Sequence, residues 1–190
     1  ANLGKEIQER GKISSIVHYH NSYFVGFLMD GILLLEKQKE TNHYQIQSLP
    51  INSGVFCLKK DRFQDVVWIG TDGQGVYLYS NPLYSIKSMV LSNYTEKIER
   101  PVRAIYLDDE RTFWVGTKGN GILKIYDYEF DKNISDCRAE VLTTSNSALS
   151  SNAVYCFAKS HRNLLWIGDE EGLTYYSYRE KRIKSIPIRI

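Results

Sequence analysis

One short pattern, repeated along the chain, limits the possible folds more than any other feature. Trp68-Ile69-Gly70-Thr71, Phe113-Trp114-Val115-Gly116-Thr117 and Leu165-Trp166-Ile167-Gly168 are three copies of it, and Phe24-Val25-Gly26-Phe27 is a weaker fourth. A second glycine and an apolar run follow each copy: Gly31-Ile32-Leu33, Gly75-Val76-Tyr77, Gly121-Ile122-Leu123 and Gly172-Leu173-Thr174. The first glycines lie 44, 46 and 52 residues apart (26 to 70, 70 to 116, 116 to 168). A period in the mid-forties built from strand-forming residues predicts propeller blades, because helical repeats of that length carry a 3.6-residue apolar pattern instead.

The third copy displays the unit most clearly. Val102 to Leu107 reads as a strand, Asp108 to Thr112 as a polar turn and Phe113 to Thr117 as a second strand. Lys118-Gly119-Asn120-Gly121 is then a hairpin turn, its glycines supplying positive φ, and Ile122 to Tyr126 a third strand. A fourth strand emerges by alignment. Ile86 to Leu91 resembles Ile183 to Ile188, with His43 to Leu49 a looser version, and Pro187 suits a solvent-facing edge. The expected fold is therefore all-β, with about four β-propeller blades of four antiparallel strands each, forming an incomplete propeller. The blades fall near 11–50, 51–96, 97–145 and 146–190 of a single domain spanning 1–190.

Along the central strand Trp68 and Gly70 point to one face, Ile69 and Thr71 to the other. Both faces are apolar, as a blade sandwiched between neighbours requires. The tryptophans read as inter-blade wedges. Their rival role is a sugar platform, and recurrence in successive blades argues against it. Cys57, Ala104 and Cys156 share one register of the first strand, which calls for a small apolar side chain. The two cysteines are expected to be reduced and buried there. Cys137 is uninformative, and with three cysteines and no CxxC pair neither a disulfide framework nor a zinc site is indicated.

Composition removes other classes. The formal charge is +2 over 190 residues and the basic side chains are scattered, so nothing draws the chain to nucleic acid or an anionic membrane. No apolar stretch approaches the roughly 20 residues of a membrane helix. The chain starts Ala1-Asn2-Leu3-Gly4, without a signal peptide or initiator Met, and reads as a piece of something longer.

The search for chemistry finds no active site, cofactor motif or metal centre. His18-Tyr19-His20 places two imidazoles on one strand face without a third ligand. Asp108-Asp109-Glu110 and Asp169-Glu170-Glu171 sit in predicted turns, where solvated acids are routine. Asp72-Gly73-Gln74-Gly75 lacks the lysine and helix of a phosphate loop and reads as a hairpin. Asn93-Tyr94-Thr95 and Asn133-Ile134-Ser135 fit the glycosylation sequon, which matters only in a eukaryotic secretory setting. The polar run 143–152 accounts for the longest spacing and reads as a flexible inter-blade connector. The ligand-binding residues stay unassigned.

The blocks from Trp68 to Tyr77 and from Trp114 to Ile122, with the lead-in Leu149-Ser150-Ser151-Asn152-Ala153-Val154, resemble the two-component regulator propeller repeat. The resemblance covers almost the whole chain. Phe24 in place of Trp and the shorter turn after Gly168 depart from it. It implies the periplasmic sensor region of a hybrid two-component system of gut bacteria, ahead of a membrane helix and a histidine kinase outside this chain. It also implies a small oligosaccharide as ligand, no catalysis and no direct membrane contact. Exposed end-blade faces are expected to drive self-association. The alternatives are an extracellular protein-binding scaffold, or a fragment of a propeller lyase or glycosidase.

Overall fold

The computed structural model describes residues 3–38, 41, 43–80, 85–89, 100–128 and 137–186. These fall into two compact units, 1–89 and 90–190. Each unit holds two four-stranded antiparallel sheets in which consecutive strands pair in order. Blade 1 comprises β1 (Ile13–Tyr19), β2 (Ser22–Phe27), β3 (Ile32–Lys37) and β4 (Tyr44–Ser48). Blade 2 comprises β5 (Val55–Lys60), β6 (Val66–Thr71), β7 (Val76–Ser80) and β8 (Ser85–Met89). In the second unit blade 3 is β9 (Val102–Leu107), β10 (Phe113–Thr117), β11 (Ile122–Ile125) and β12 (Ala139–Leu142). Blade 4 is β13 (Val154–Ser160), β14 (Leu164–Asp169), β15 (Gly172–Ser177) and β16 (Arg182–Ser185). The fold is all-β, with four propeller-type blades. Both sequon segments and Pro187 lie outside the described residues.

Within each unit the two blades meet through two different faces. The forward face, turned toward the following blade, carries Phe24 and Gly26 in blade 1 and Trp114 and Gly116 in blade 3. The rear face, turned toward the preceding blade, carries Val55, Leu58 and Ile69 in blade 2 and Val154, Leu165 and Ile167 in blade 4. A β-bulge near the start of each first strand makes this possible. The extra residue lets the leading valine face backward while the next paired residue faces forward. That residue is Ser15, Cys57, Ala104 or Cys156, each opposite the forward glycine of its own blade.

The small-residue register thus has a steric cause. A Cβ on Gly26 would lie 2.7 Å from Val55 Cγ1, and one on Gly116 would lie 2.8 Å from Val154 Cγ1. The glycine is a socket, and the valine of the following blade is the knob that fills it.

An N-terminal helix, α1 (Leu3–Arg10), was not legible as such in the sequence. Its Leu3 and Ile7 pack on Val25, Phe27, Leu33 and Leu35, the rear face of blade 1. Arg10 anchors its end, donating to Asp30 O at 3.1 Å and Ser48 Oγ at 3.2 Å. No residue of α1 is fully buried.

Three expectations need correction. Neither cysteine is fully buried: Cys156 is exposed, because it sits on the forward face of blade 4, away from blade 3, and Cys57 is half-buried, although desolvation still pushes its thiol up to about 12. His18 and His20 do not share a strand face. His20 lies beyond the end of β1 with φ of +53°, bonded through Nε2 to the Asp65 carboxylate, while His18 stacks on Tyr23. The run 143–152 is closely bonded rather than a loose connector. Asn146 Nδ2 donates to Val141 O, Thr144 N to Asn152 Oδ1 and Ser150 Oγ to Asp169, while Leu149 is buried.

Candidate functional site

The turn acids are structural. Asp108 Oδ1 accepts the amides of Glu110 and Thr112, and its Oδ2 accepts Trp114 Nε1 at 2.9 Å and Tyr178 Oη at 3.0 Å. Asp61 repeats the device in blade 2, taking the amides of Phe63 and Gln64 and Trp68 Nε1 at 2.7 Å. Trp68 and Trp114 are fully buried in consequence of this pairing and their packing. Asp169 caps its own hairpin through the amides of Glu171 and Gly172. Asp109 is ion-paired with Lys159. Among the described residues no three or more His, Cys, Asp or Glu converge as metal ligands.

A polar crevice opens between blades 3 and 4, at the edge that carries the β9–β10 and β15–β16 turns. Its volume is about 350 Å³, and Asp108, Glu110, Lys124, Tyr126, Arg138 and Tyr176 are among its walls. Such a volume holds a small ligand.

Lys124 is its centre, and its position in the repeat is anomalous. It pairs with Trp114 as Leu34 pairs with Phe24 and Leu78 with Trp68, so a lysine occupies a leucine register. That irregularity is legible when the blades are aligned on their glycines, although no short motif marks it.

Lys124 is 3 % exposed, and its ammonium is held by aromatic rings. It stands 4.3 Å from the ring centre of Tyr176, 4.4 Å from that of Tyr126 and 4.9 Å from that of Trp114. Ring faces attract a cation, which offsets part of the desolvation. Lys124 Nζ donates to Tyr126 Oη and Tyr176 Oη, both at 2.8 Å, and lies 3.3 Å from Glu140 Oε1. Tyr126 Oη in turn donates to Glu140 Oε1. Arg138 lies over the outer face of the Tyr126 ring at 4.7 Å. The result is a fixed array of donors and acceptors framed by aromatic edges.

Burial governs titration here. Desolvation lowers the pKa of Lys124 despite the opposing pull of Glu140. Burial, then the neighbouring acids, raises the phenols: Tyr176 to about 12, with Tyr126 and Tyr178 also well above their ordinary range. A raised phenol pKa contributes stability that is intact below the ordinary value of 10 and is lost as pH climbs through the folded value. Lys124 works in the opposite sense, since its burial penalty fades as pH approaches its ordinary 10.5. Three tyrosines against one lysine should make stability fall between pH 10 and 12. Tyrosinate absorbance and near-ultraviolet dichroism, followed together, check this. The buried phenols should ionise only as the dichroism collapses, and their ionisation at the ordinary pH with the dichroism intact contradicts it.

Trp166 differs from its two counterparts. It is half-buried, on the forward face of blade 4, and its register carries Ser160 where blades 2 and 3 have Asp61 and Asp108.

No protein-family model matches the sequence, and comparison with curated proteins finds no match. Solved structures do match. The extracellular domain of the hybrid two-component system BT3049 from B. thetaiotaomicron is 22% identical over 95% of this chain and 23% of that one, with a TM-score of 0.71. The corresponding domain of BT4673 from the same organism is 20% identical over 87% of this chain and 21% of that one, with a TM-score of 0.64. The computationally designed Ika4 protein is 12% identical over 88% of this chain and 91% of that one, at 0.60. The chain spans about a fifth of the length of the two sensor domains. Its fold is theirs.

Proposed function

We propose that this chain is a non-catalytic, ligand-sensing region of a two-component signal transduction receptor, placed in the periplasm, with an oligosaccharide as ligand. The observation that carries this reading is the fold shared with two extracellular sensor domains at TM-scores of 0.71 and 0.64. The parent receptor would carry the histidine kinase elsewhere. Among the described residues no helix is long and apolar enough to cross a membrane, which fits a region outside the bilayer.

The crevice around Lys124 is the ligand site in this proposal. Its phenols, carboxylates and cations suit a molecule rich in hydroxyl groups, and the Tyr176 and Tyr126 rings offer apolar edges to a sugar face. Binding there would draw blades 3 and 4 together through groups each blade supplies. A shift in blade disposition biases a kinase only if the ligand prefers one arrangement.

Thermal unfolding with a panel of short neutral and uronate-containing oligosaccharides tests the reading. A ligand at a hundred times its Kd should stabilise the fold by about 2.7 kcal/mol. Lys124→Leu places at this register the leucine that blades 1 and 2 carry as Leu34 and Leu78, and the Glu140 side chain it leaves without a cation is 39 % exposed, so water can take the ammonium's place. We therefore expect the variant to remain folded, at a cost below the roughly 3–5 kcal/mol of breaking a fully buried pair, while the oligosaccharide-induced shift disappears. A shift retained in Lys124→Leu would remove the ligand from this crevice. No shift with any oligosaccharide would overturn the oligosaccharide assignment.

A further inference from the structure

We infer that the crevice between blades 3 and 4 takes an acidic sugar, a uronate unit, and that the Arg138 guanidinium receives its carboxylate. The inference rests on the oligosaccharide reading above and names the class of sugar. It starts from where blade 3 departs from the repeat, then turns to which charges in the crevice are already spent.

Two residues beyond Lys124 on the third strand, blade 3 has Tyr126 opposite Arg138, with Tyr126 N donating to Arg138 O at 2.8 Å. At the same register blade 1 has Glu36 opposite Gln45, blade 2 has Ser80 opposite Ser85, and blade 4 has Ser177 opposite Arg182. The tyrosine–arginine pair is therefore particular to blade 3, as is a lysine at the register of Leu34 and Leu78. Lys124, Tyr126 and Arg138 break the repeat together, and all three line the crevice. Departures from a local rule that gather in one place mark a functional position.

The charges in the crevice are unequally committed. Asp108 already accepts four hydrogen bonds. Glu140 is taken by Lys124 and Tyr126, and Asp127 has a partner. Glu110 is the acid left over. Lys124 is spent on two phenols and Glu140. Arg138 and Lys181 are exposed, and among the described residues neither has a carboxylate partner. Two uncommitted cations against one uncommitted carboxylate make the crevice complementary to an anion.

Arg138 is the cation held ready. Its guanidinium lies over the Tyr126 ring, 4.7 Å from the centre, and cation–π attraction limits its freedom. An arginine fork gives a carboxylate two parallel N–H bonds, a match that a sugar hydroxyl cannot make. The rings themselves are occupied: Tyr126 carries both Lys124 and Arg138, and Tyr176 is buried against Trp114 and Tyr178. The charged groups therefore decide which sugar binds.

Titration calorimetry on the full chain compares digalacturonate and a glucuronate-terminated disaccharide with the methyl ester of each, which loses the charge and keeps the sugar. At least one acid should bind, and at least tenfold more tightly than its ester. In Arg138→Gln that preference should fall to near parity, while Arg138→Lys, which keeps the charge without the fork, should retain part of it. Arg138 is exposed, so both variants should keep the native circular dichroism. If either does not, the acid and its ester on the native chain still give the answer. An acid that binds no better than its ester overturns the inference, as does a preference that survives Arg138→Gln. A neutral oligosaccharide that binds where no uronate does also overturns it, and leaves the oligosaccharide reading standing. Binding by no oligosaccharide, neutral or acidic, overturns both.

Discussion

Replacing Trp114 by alanine should destabilise the second unit by about 3–5 kcal/mol in urea unfolding, the range for emptying a buried tryptophan site. The indole is fully buried in the core that blades 3 and 4 share, against Leu149, Val154, Leu165 and Ile167. It stacks edge-on with Tyr176 at 4.8 Å, and it forms one wall of the Lys124 cage. Its loss would therefore open a cavity and strip the buried ammonium of a ring. Trp166→Ala should cost much less, because Trp166 is only half-buried. Equal losses at the two positions would contradict the wedge role, which depends on a following blade packed against the ring.

The repeat was legible because blade packing demands it chemically. A strand buried on both faces must be apolar throughout, and a knob from the next blade requires a glycine beneath it. Trp114, Gly116 and Ala104 are local consequences of that one junction, so they stand out in sequence. The small register read from Cys57, Ala104 and Cys156 held for the same reason, although Cys156 is exposed because its side of blade 4 is turned away from blade 3. The helix Leu3–Arg10 is not legible because it precedes the first copy and has no period to belong to.

The crevice was hidden for a different reason. Its groups come from the β9–β10 turn, from β11 and the residues just after it, from around the start of β12 and from the end of β15, so no short motif joins them. Only Lys124 left a trace, as a cation where Leu34 and Leu78 stand in earlier blades. The carboxylates drew attention as clusters in turns, but a cluster does not reveal which member is buried. Asp108 is buried while Asp109 and Glu110 of the same turn are exposed, a distinction that depends on the direction of each side chain around the turn.

Asp108→Leu is expected to cost about 3–5 kcal/mol, comparable to the loss of the tryptophan it serves. Four donors converge on this carboxylate: two turn amides, the Trp114 indole and the Tyr178 phenol. A leucine accepts none of them, and each buried donor left unpaired costs about 1–3 kcal/mol, less where the turn can relax toward water. Asp108→Asn keeps one oxygen and should cost only about 1–2 kcal/mol, the value of a lost charge-assisted bond or two. The other blades support the reading. Asp61 accompanies Trp68, whereas blade 1 has Phe24, which offers no N–H, and carries Tyr19 in the acid's register. Phe24→Trp should accordingly destabilise blade 1, since the new indole would find no carboxylate at that register. Urea unfolding of the Asp108 variants and Phe24→Trp gives the comparison. An Asp108→Leu protein as stable as the native chain would show that the indole N–H reaches another acceptor, and the acid–tryptophan pairing would lose its structural role.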